Sequence, residues 1–492
     1  MVDLSYLCKV DLSDSRMIAI AFCCHPVLGN PKIKKTDPGV YFLITLPSNM
    51  KKQRNVILFG AGAVIDWGAP KTLDLTTLVR SSGFYTSDGK TRITEFIYKK
   101  LLDAPGYTEK DINFETIINV IEELIVYYAN HGLTKKVPAL MKPFFNANFE
   151  EEILNFTIIG GEAKPFYKLH IPGKNDEWSI MNHGQETPQQ FFLQQLLAHL
   201  LTDISIEIEH YSYHTASKSN VLTESKQELN ELFQNWITRI NGNGILRMYT
   251  LNYDRNFKIL LSRKEPTMEI FEGFDCGDTV GYTDQLRPQV RRILEDQQTH
   301  THYNLHGSVF WRVRALNQYQ LELPEFYLAC GAYLEQNTDE FPTFQSEKGK
   351  TVYLTNFITG YQKTQRAIFS PFRQMQAAFD RDCIFCERLI IVGYSFGDEH
   401  INSSIKTALK ENVNLIIDIV DPSFKKDEFD LMVILKIFTA SDRMQAGLPT
   451  NLSENVHGFL GGLVTVHAKT FRTYMEDTLK QHYLTFERFD CY

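Results

Sequence analysis

Short, continuously apolar segments, each followed by glycine or polar residues, recur in two separated parts of the chain. Each has the length and composition of a buried strand in a parallel sheet. The segments are 55–59, 245–249, 303–305, 389–392 and 414–420. A segment with helical spacing, about Glu399 to Lys410, follows the fourth of them. Strands that alternate with helices predict an α/β fold, an open, doubly wound parallel sheet with helices on both faces.

Between these two parts, from about residue 90 to 245, apolar residues recur at the spacing of an α-helix. The spacing predicts helices over Ile93–Leu102, Phe114–Tyr128, Phe191–Ile204 and Leu229–Ile240. Strand-like segments are few there, and Gly160-Gly161 and Pro172-Gly173 interrupt the pattern. We therefore expect a large, mostly helical insertion within the sheet.

The two ends of the chain have a weaker pattern. Met17–Cys24 and Tyr41–Leu46 have the composition of strands, with a loop over Pro26–Gly39 between them. Phe459–Val466 is apolar as well. The pattern leaves open whether residues 1–50 and 423–492 bind partners or cover the sheet.

Composition narrows the class of protein. The chain has 492 residues with 51 Lys plus Arg and 59 Asp plus Glu, a net charge of −8. The length predicts two or three folding units, and the acidic balance gives no reason to expect direct nucleic-acid binding. No segment reaches the roughly 20 apolar residues of a membrane span, and Met17–Leu28 lacks a signal-peptide cleavage site. The eight cysteines follow no disulfide spacing, so we expect a reduced, cytoplasmic protein.

Polar motifs stand directly after the predicted strands, where a doubly wound sheet binds its ligands. Since the carboxyl ends of parallel strands share one edge, we expect these motifs to converge although they are far apart in sequence. The motifs are Gly60-Ala61-Gly62, Asn252 with Asp254, His306 before Gly307, and Ser395 with Asp398. The convergence of the set, rather than any one motif, predicts a binding site.

The first three motifs each have a functional and a structural interpretation. Glycines at 60 and 62 let the backbone approach a pyrophosphate, or form only a tight turn, and the third glycine of GxGxxG is absent. Asn252 and Asp254 can point the same way, with Tyr253 turned back, toward ribose hydroxyls or a carboxamide. The alternative for this pair is an Asx turn with a helix cap. His306 has the chemistry of a general base.

The fourth motif, Gly393-Tyr-Ser395-Phe-Gly, matches the G-x-S-x-G of α/β-hydrolase nucleophiles. That fold requires an acid and then a histidine later in the chain. His457 and His467 are the candidates, but little chain remains after residue 398 to hold either of them over the sheet. We therefore favour Ser395 and its neighbouring amides as ligands of a phosphate or ribose, with Asp398 capping the helix that follows.

Taken in order, the motifs resemble those of the sirtuin superfamily. The resemblance covers about residues 55–422, apart from the insertion. Four segments carry it: Gly60–Pro70 is similar to the GAG-x5-G-x-P cofactor loop, Thr250–Asp254 to T-x-N-x-D, His306-Gly307 to the catalytic H-G, and Gly393–Phe396 to G-T-S-L. It implies a Rossmann-like NAD-binding core over 51–90 and 245–422, with an insertion over 91–244. Residues 1–50 and 423–492 are then terminal extensions.

The chain also departs from the sirtuin pattern. Val64 replaces the serine of the cofactor loop, Lys71-Thr-Leu replaces residues that clamp the cofactor, and the four zinc cysteines are absent. Cys383-x-x-Cys386 is a single pair, so we expect no zinc ribbon and no metal. These departures resemble the prokaryotic branch of NAD+ hydrolases in anti-phage defence. Asn113–Leu124 is similar to that branch's F-E-x-x-L/I-x-x-x-E helix, and Gly393–Ile401 to its G-Y-S-F-x-D-x-x-I.

The resemblance to that branch implies an NAD+ glycohydrolase, which cleaves NAD+ to nicotinamide and ADP-ribose and depletes it on activation. NAD+ is then a substrate rather than a resident cofactor. Asn252 would position the water or the ribose, Asp254 would support the carboxamide or Asn252, and His306 would act as base. The implied binding residues for NAD+ are Gly60, Ala61, Gly62, Gly68, Pro70, Gly393, Ser395 and Asp398.

The resemblance also bears on partners. Members of the branch pair with, or are fused to, a HerA/FtsK-like ATPase, an Argonaute module or a nucleotide-binding domain. Only about 70 residues follow the predicted core, too few for most fused sensors. We therefore expect a separate activator, and we favour a HerA/FtsK-like ATPase over an Argonaute-type module. We also expect a homo-oligomer and no contact with a membrane. Two other functions stay open: an NAD-dependent protein deacylase, and a non-catalytic subunit that senses nucleotides.

Overall fold

A computed structural model describes most of the chain from Arg54 to Glu487. The predicted strands Met17–Cys24 and Tyr41–Leu46 lie outside the described residues. The described ranges are 54–129, 136–159, 166–172, 178–181, 187–212, 220–242, 244–264, 269–275, 285–314, 325–329, 343–347, 350–353, 355–359, 367–424, 450–453 and 455–487.

The strands lie mainly in the two parts of the chain that have apolar segments. Their bounds are β1 Arg54–Phe59, β2 Thr157–Ile159, β3 Phe166–His170, β4 Trp178–Met181, β5 Ile245–Thr250, β6 Ile270–Phe271, β7 Phe274–Asp275, β8 Gln285–Pro288, β9 His300–Asn304, β10 Trp311–Arg314, β11 Glu325–Ala329, β12 Thr343–Glu347, β13 Lys350–Tyr353, β14 Arg388–Val392, β15 Ile416–Val420, β16 Thr450–Ser453, β17 Val456–Phe459 and β18 Val464–His467.

The α-helices fill the intervals between these strands. Their bounds are α1 Thr72–Ser81, α2 Ile93–Asp103, α3 Phe114–Tyr128, α4 Ala147–Ile153, α5 Pro188–Ser212, α6 Gln227–Asn241, α7 Asn256–Lys264, α8 Val290–Glu295, α9 Phe372–Phe385, α10 Glu399–Glu411 and α11 Phe471–Glu487. A 3₁₀ helix, Ala61–Trp67, follows β1, and shorter ones lie at Asn220–Leu222, Glu224–Lys226 and Leu460–Gly462.

In the described part of the chain, nine strands form the central sheet, in the order β16-β17-β18-β15-β14-β1-β5-β9-β6. From β18 to β6 the neighbours are parallel, while β16 and β17 add an antiparallel edge. Among the described residues β1 comes first and lies in the middle of the sheet. The strands β5, β6 and β9 follow on one side, and the chain then crosses to β14, β15 and β18 on the other. The strand order therefore reverses between β1 and β14. The molecule is a mixed α/β protein with a mostly parallel sheet, which confirms the predicted α/β class.

Helices cover both faces of this sheet. On one face Phe59 of β1 stacks on Phe257 of α7, with ring centroids 3.9 Å apart. On the other face the Tyr249 ring of β5 lies 4.9 Å from the ring of Phe379 in α9. Because both faces are covered, the inner strands β1 and β5 are buried along nearly their whole length instead of alternating between buried and exposed positions.

A buried carboxylate ties α9 to the sheet. Asp382 accepts hydrogen bonds from Nε of Arg247 and from the hydroxyl of Tyr249, each at 2.5 Å, and from Nε of Arg381 at 3.0 Å. The side chains of Arg247 and Asp382 are 0% exposed. Burial opposes ionisation of Asp382, but the two arginines and the Tyr249 hydrogen bond outweigh it, so its pKa lies below the ordinary value.

Several elements agree closely with the sequence predictions. Helix α3 has the predicted bounds, Phe114–Tyr128, and β1, β5 and β14 begin and end within one residue of their predicted segments. Helix α5 is longer than predicted and continues to Ser212. The antiparallel sheet β2-β3-β4 lies within the segment expected to be mostly helical, and α1 and α9 were not predicted. The division into core, insertion and extensions stays a prediction.

Smaller sheets flank the central one. Strands β10-β11-β8-β7 form one, and β12 and β13 form a hairpin. The apolar segment Phe459–Val466 spans parts of β17 and β18, at the antiparallel edge of the central sheet. No helix in the described ranges combines the length and the apolar character needed to cross a bilayer.

Candidate functional site

A cavity of about 330 Å³ lies at the carboxyl ends of β1 and β14, where the strand order reverses. This volume falls within the roughly 300–1,000 Å³ of small-molecule sites, and a reversal of strand order is where open α/β sheets bind ligands. The predicted site residues that line it are Gly60, Ala61, Pro70, Asn252, His306, Gly393, Ser395 and Asp398. Motifs from four strand ends therefore meet in one cavity.

The glycine turns after β1 and β14 are in direct backbone contact. The amide of Gly60 donates to the carbonyl of Val392 at 2.8 Å, and that of Gly62 to the carbonyl of Gly393 at 2.9 Å. A Cβ on Gly60 would lie 2.4 Å from the Gly393 carbonyl oxygen, so a side chain does not fit there. These two amides are paired with the end of β14 and the turn after it, while the amide of Ala61 is the first of the 3₁₀ helix, a position that has no partner within a helix.

Gly62 and Gly68 are not among the residues that line the cavity. Gly62 supports the contact with Gly393. Gly68 ends the 3₁₀ helix in the left-handed conformation, with φ +93°. After that turn Pro70 returns to the cavity wall. The two glycines therefore shape the loop, and Pro70 is its contact residue.

Asn252 connects the ends of β5 and β1. Its Nδ2 donates to the carbonyl of Gly60 at 3.1 Å. The side-chain amide of Asn304 in β9 donates to the backbone carbonyl of Asn252 at 3.0 Å and to that of Asp254 at 2.8 Å. Within the described residues, Oδ1 of Asn252 makes no hydrogen bond, so a rigidly held amide oxygen is left for a ligand.

Asp254 does not line the cavity, although it was expected to act in catalysis together with Asn252 and His306. Its Oδ2 accepts the hydroxyl of Tyr211, and its Oδ1 accepts the amide of Asn256 at 2.8 Å, an Asx turn at the start of α7. The carboxyl is 1% exposed, and burial raises its pKa. Tyr211, at the end of α5, lines the cavity in its place. Asp254 therefore contacts the lining of the cavity through Tyr211.

His306 follows β9 and is 2% exposed. Its backbone carbonyl accepts the amide of Ile358 at 2.7 Å. Gly307 has φ +81°, and a Cβ there would lie 2.3 Å from the Asn356 carbonyl oxygen, so only glycine permits this turn. The ring of His400, from the first turn of α10, lies 5.5 Å from the His306 ring, with the planes tilted by 42°. Two imidazoles therefore lie side by side, and His306 is the one that lines the cavity.

The turn after β14 is shaped by Tyr394. Its hydroxyl accepts the amide of Asp398 and lies within hydrogen-bonding distance of Oδ1 of Asn402, both at 3.0 Å. Asp398 occupies the N-cap position of α10, but its side chain makes no capping hydrogen bond, contrary to expectation. Ser395 is exposed at the cavity. The turn thus presents a hydroxyl and a carboxylate to the same space.

The positions of the later histidines do not favour a hydrolase triad with Ser395. His457 lies on β17, and His467, on β18, is 3.2 Å from Oδ1 of Asp418. Neither histidine lines the cavity.

Several cavity residues were not among the predicted site residues. Tyr253, expected to turn away, lines the cavity, and its hydroxyl donates to Glu115 at the start of α3 at 3.0 Å. Glu115 lies in the segment similar to the F-E-x-x-L/I-x-x-x-E helix, and this similarity could have marked it as a site residue from the sequence. No local pattern marks Tyr211. The remaining unpredicted lining residues are Val64, Ala69, Thr72, Leu75, Asn113, Phe114, Ile208, Leu251, Tyr394 and Gly397.

Cys383 and Cys386 are buried free thiols at the end of α9. The thiol of Cys386 donates to the carbonyl of Cys383 at 3.3 Å, and burial raises the pKa of Cys386 to about 12. In the part of the chain that the structure describes, no cluster of three or more His, Cys, Asp or Glu could hold a metal ion. Both cysteines belong to the buried apolar core.

Comparison with models of protein families finds no match for this chain, and comparison with curated proteins finds none either.

Proposed function

We propose that this chain is an NAD+ glycohydrolase on a Rossmann-like, sirtuin-type sheet without a zinc ribbon. The observation that carries the proposal is the cavity at the reversal of strand order, which brings together Ala61, Asn252, His306 and Ser395. A glycine turn and an exposed hydroxyl suit a diphosphate. The amide of Asn252 and the imidazole of His306 suit a ribose that is to be attacked by water.

Cleavage of the nicotinamide–ribose bond passes through an oxocarbenium-like transition state. The C1–N bond breaks with its electrons moving onto the nicotinamide ring, and water forms the new C1–O bond. In our proposal Oδ1 of Asn252 orients the water or the ribose, and His306 accepts the proton that the water loses. Glu115 and Asp398 are the carboxylates at the cavity that can stabilise the positive charge on the ribose. The Ala61 amide and the Ser395 hydroxyl would hold the diphosphate.

The direct test is incubation of the full chain with NAD+ and quantification of nicotinamide and ADP-ribose. We expect His306→Ala and Asn252→Ala each to lower turnover at least about a hundredfold. His199→Ala is the matched control, because His199 is a half-buried histidine on α5 outside the cavity. Full NAD+ consumption by a correctly folded His306→Ala variant would refute the assignment.

The same assay separates the rival functions. A deacylase would release nicotinamide only together with deacylation of an added acetyl-peptide. A nucleotide-sensing subunit would bind NAD+ or ADP-ribose in calorimetry and form no product, even with its activator present. Nicotinamide and ADP-ribose formed without peptide support the hydrolase.

We also propose that the enzyme is the effector of an anti-phage defence system in the cytoplasm. In this role it is a homo-oligomer that a separate partner activates. A HerA/FtsK-like ATPase is favoured as that partner over an Argonaute-type module. The test is NAD+ measurement in infected cells that express the chain with its neighbouring genes. A fall in NAD+ that requires both His306 and the partner gene supports this role. Unchanged NAD+ with active enzyme contradicts it.

A further inference from the structure

The proposed reaction releases a proton at a buried place. Hydrolysis converts NAD+ and water into nicotinamide, ADP-ribose and one H+. His306, which accepts the proton of the water, is 2% exposed. It must lose this proton before the next turnover, so a route to solvent is required.

His400 is placed to provide that route. Its ring lies 5.5 Å from the His306 ring, yet His400 is not among the residues that line the cavity. It is half-buried, whereas His306 is buried. His400 therefore contacts the base from outside the substrate space and is the more accessible of the two imidazoles.

The other titratable groups around the cavity are less suited to this transfer. Burial raises the pKa values of the hydroxyls of Tyr211, Tyr253 and Tyr394, so they keep their protons at neutral pH. The remaining groups at the cavity are the carboxyls of Glu115 and Asp398. Glu115 already accepts the hydroxyl of Tyr253, and both carboxyl residues line the substrate space, whereas His400 lies outside it. An imidazole is the better relay.

We propose that His400 is the positioning residue and relay through which the proton leaves His306 for solvent. The inference rests on the proposed hydrolase function. One ring nitrogen of His306 takes the proton of the attacking water, and a proton passes from the His306 ring to His400 and then to a buffer base. No other bond changes in this step. His400 occupies a variable position of the G-Y-S-F-x-D-x-x-I pattern, so the motif by itself does not require a histidine there.

The test compares the full-length wild type with His400→Phe, which keeps a planar ring and removes both nitrogens. In weakly buffered solution we expect kcat for NAD+ to fall about tenfold or more while KM is unchanged. Addition of millimolar imidazole is expected to restore kcat, because a free imidazole can take the proton directly. His199→Phe is the matched control, expected to change neither kcat nor the response to imidazole.

A purely structural role would lower kcat without rescue by imidazole. His400→Asn is the second variant, in case the phenylalanine disturbs α10, and the urea midpoint of each variant reports its folding. Wild-type kcat in weak buffer for either folded variant, or a loss that imidazole does not restore, overturns the relay and leaves the hydrolase intact. A wild-type chain that never turns over NAD+, even with its activator, overturns both.

Discussion

Replacing Gly393 with alanine tests the contact on which the site depends. Gly393 has φ +64°, and its backbone packs against the glycine turn after β1. A Cβ at this position would lie 2.2 Å from the amide nitrogen of Ala63 and 2.4 Å from the carbonyl carbon of Gly62. The opposing atoms are backbone, which cannot rotate away as a side chain does. The substitution therefore forces the two turns apart.

The size of the effect has two parts. The left-handed conformation costs an alanine about 1–2 kcal/mol. Ordinary contacts of a Cβ begin at 3.4 Å, so an unstrained contact requires the turns to separate by 3.4 − 2.2 = 1.2 Å. Overpacking of this kind costs about 1–3 kcal/mol. We expect Gly393→Ala to lose about 2–5 kcal/mol of unfolding free energy.

Gly89→Ala separates the two parts. Gly89 has φ +67°, almost that of Gly393, but nothing lies within 4 Å of a Cβ there. This control is expected to lose only the conformational part, about 1–2 kcal/mol. Urea denaturation followed by circular dichroism measures both variants. The difference between them is the cost of forcing the turns apart.

The same pair of variants reports on function. A displacement of about 1 Å between catalytic groups can lower activity about a hundredfold, so kcat/KM for NAD+ should fall by that order in Gly393→Ala and stay unchanged in Gly89→Ala. Equal stability losses in the two variants would refute the backbone contact. Normal NAD+ turnover by Gly393→Ala would show that the turns after β1 and β14 do not form the site.

Three further predictions concern buried polar groups. Asp382→Ala leaves the buried Arg247 guanidinium unpaired and should lose about 3–5 kcal/mol in urea denaturation; an unchanged midpoint would contradict the pairing. Burial lowers the pKa of His302 from 6.5 to about 4, so between pH 4 and 6.5 the unfolded chain binds more protons than the folded chain. Stability should therefore fall by about 3 kcal/mol as pH drops through this window, and His302→Gln should abolish that part of the dependence. Tyr211→Phe removes the donor to Asp254, and a melting temperature equal to wild type would contradict the expected loss of about 1–3 kcal/mol.

Local pattern predicted much of the secondary structure, for physical reasons that particular elements show. Helix α3 buries one apolar residue after another at helical spacing and has an N-cap in Asn113, so its bounds could be read from the sequence. Strands β1, β5 and β14 are buried along nearly their whole length, which favours a mostly apolar run. Helices α1 and α9 mix charged and apolar residues, and β6 and β7 have two residues each, so pattern could not find them.

The sequence alone determined which residues end the strands of the sheet, because apolar runs and the turns after them are encoded within a few neighbouring positions. It thus marked Gly60, Asn252, His306 and Ser395 as candidates. Only the tertiary structure decided the strand order, and with it which ends lie next to each other. It also set Tyr211 in front of Asp254 and His400 beside His306. Such contacts join groups on different elements, and they depend on how whole helices and strands pack, which no local pattern records.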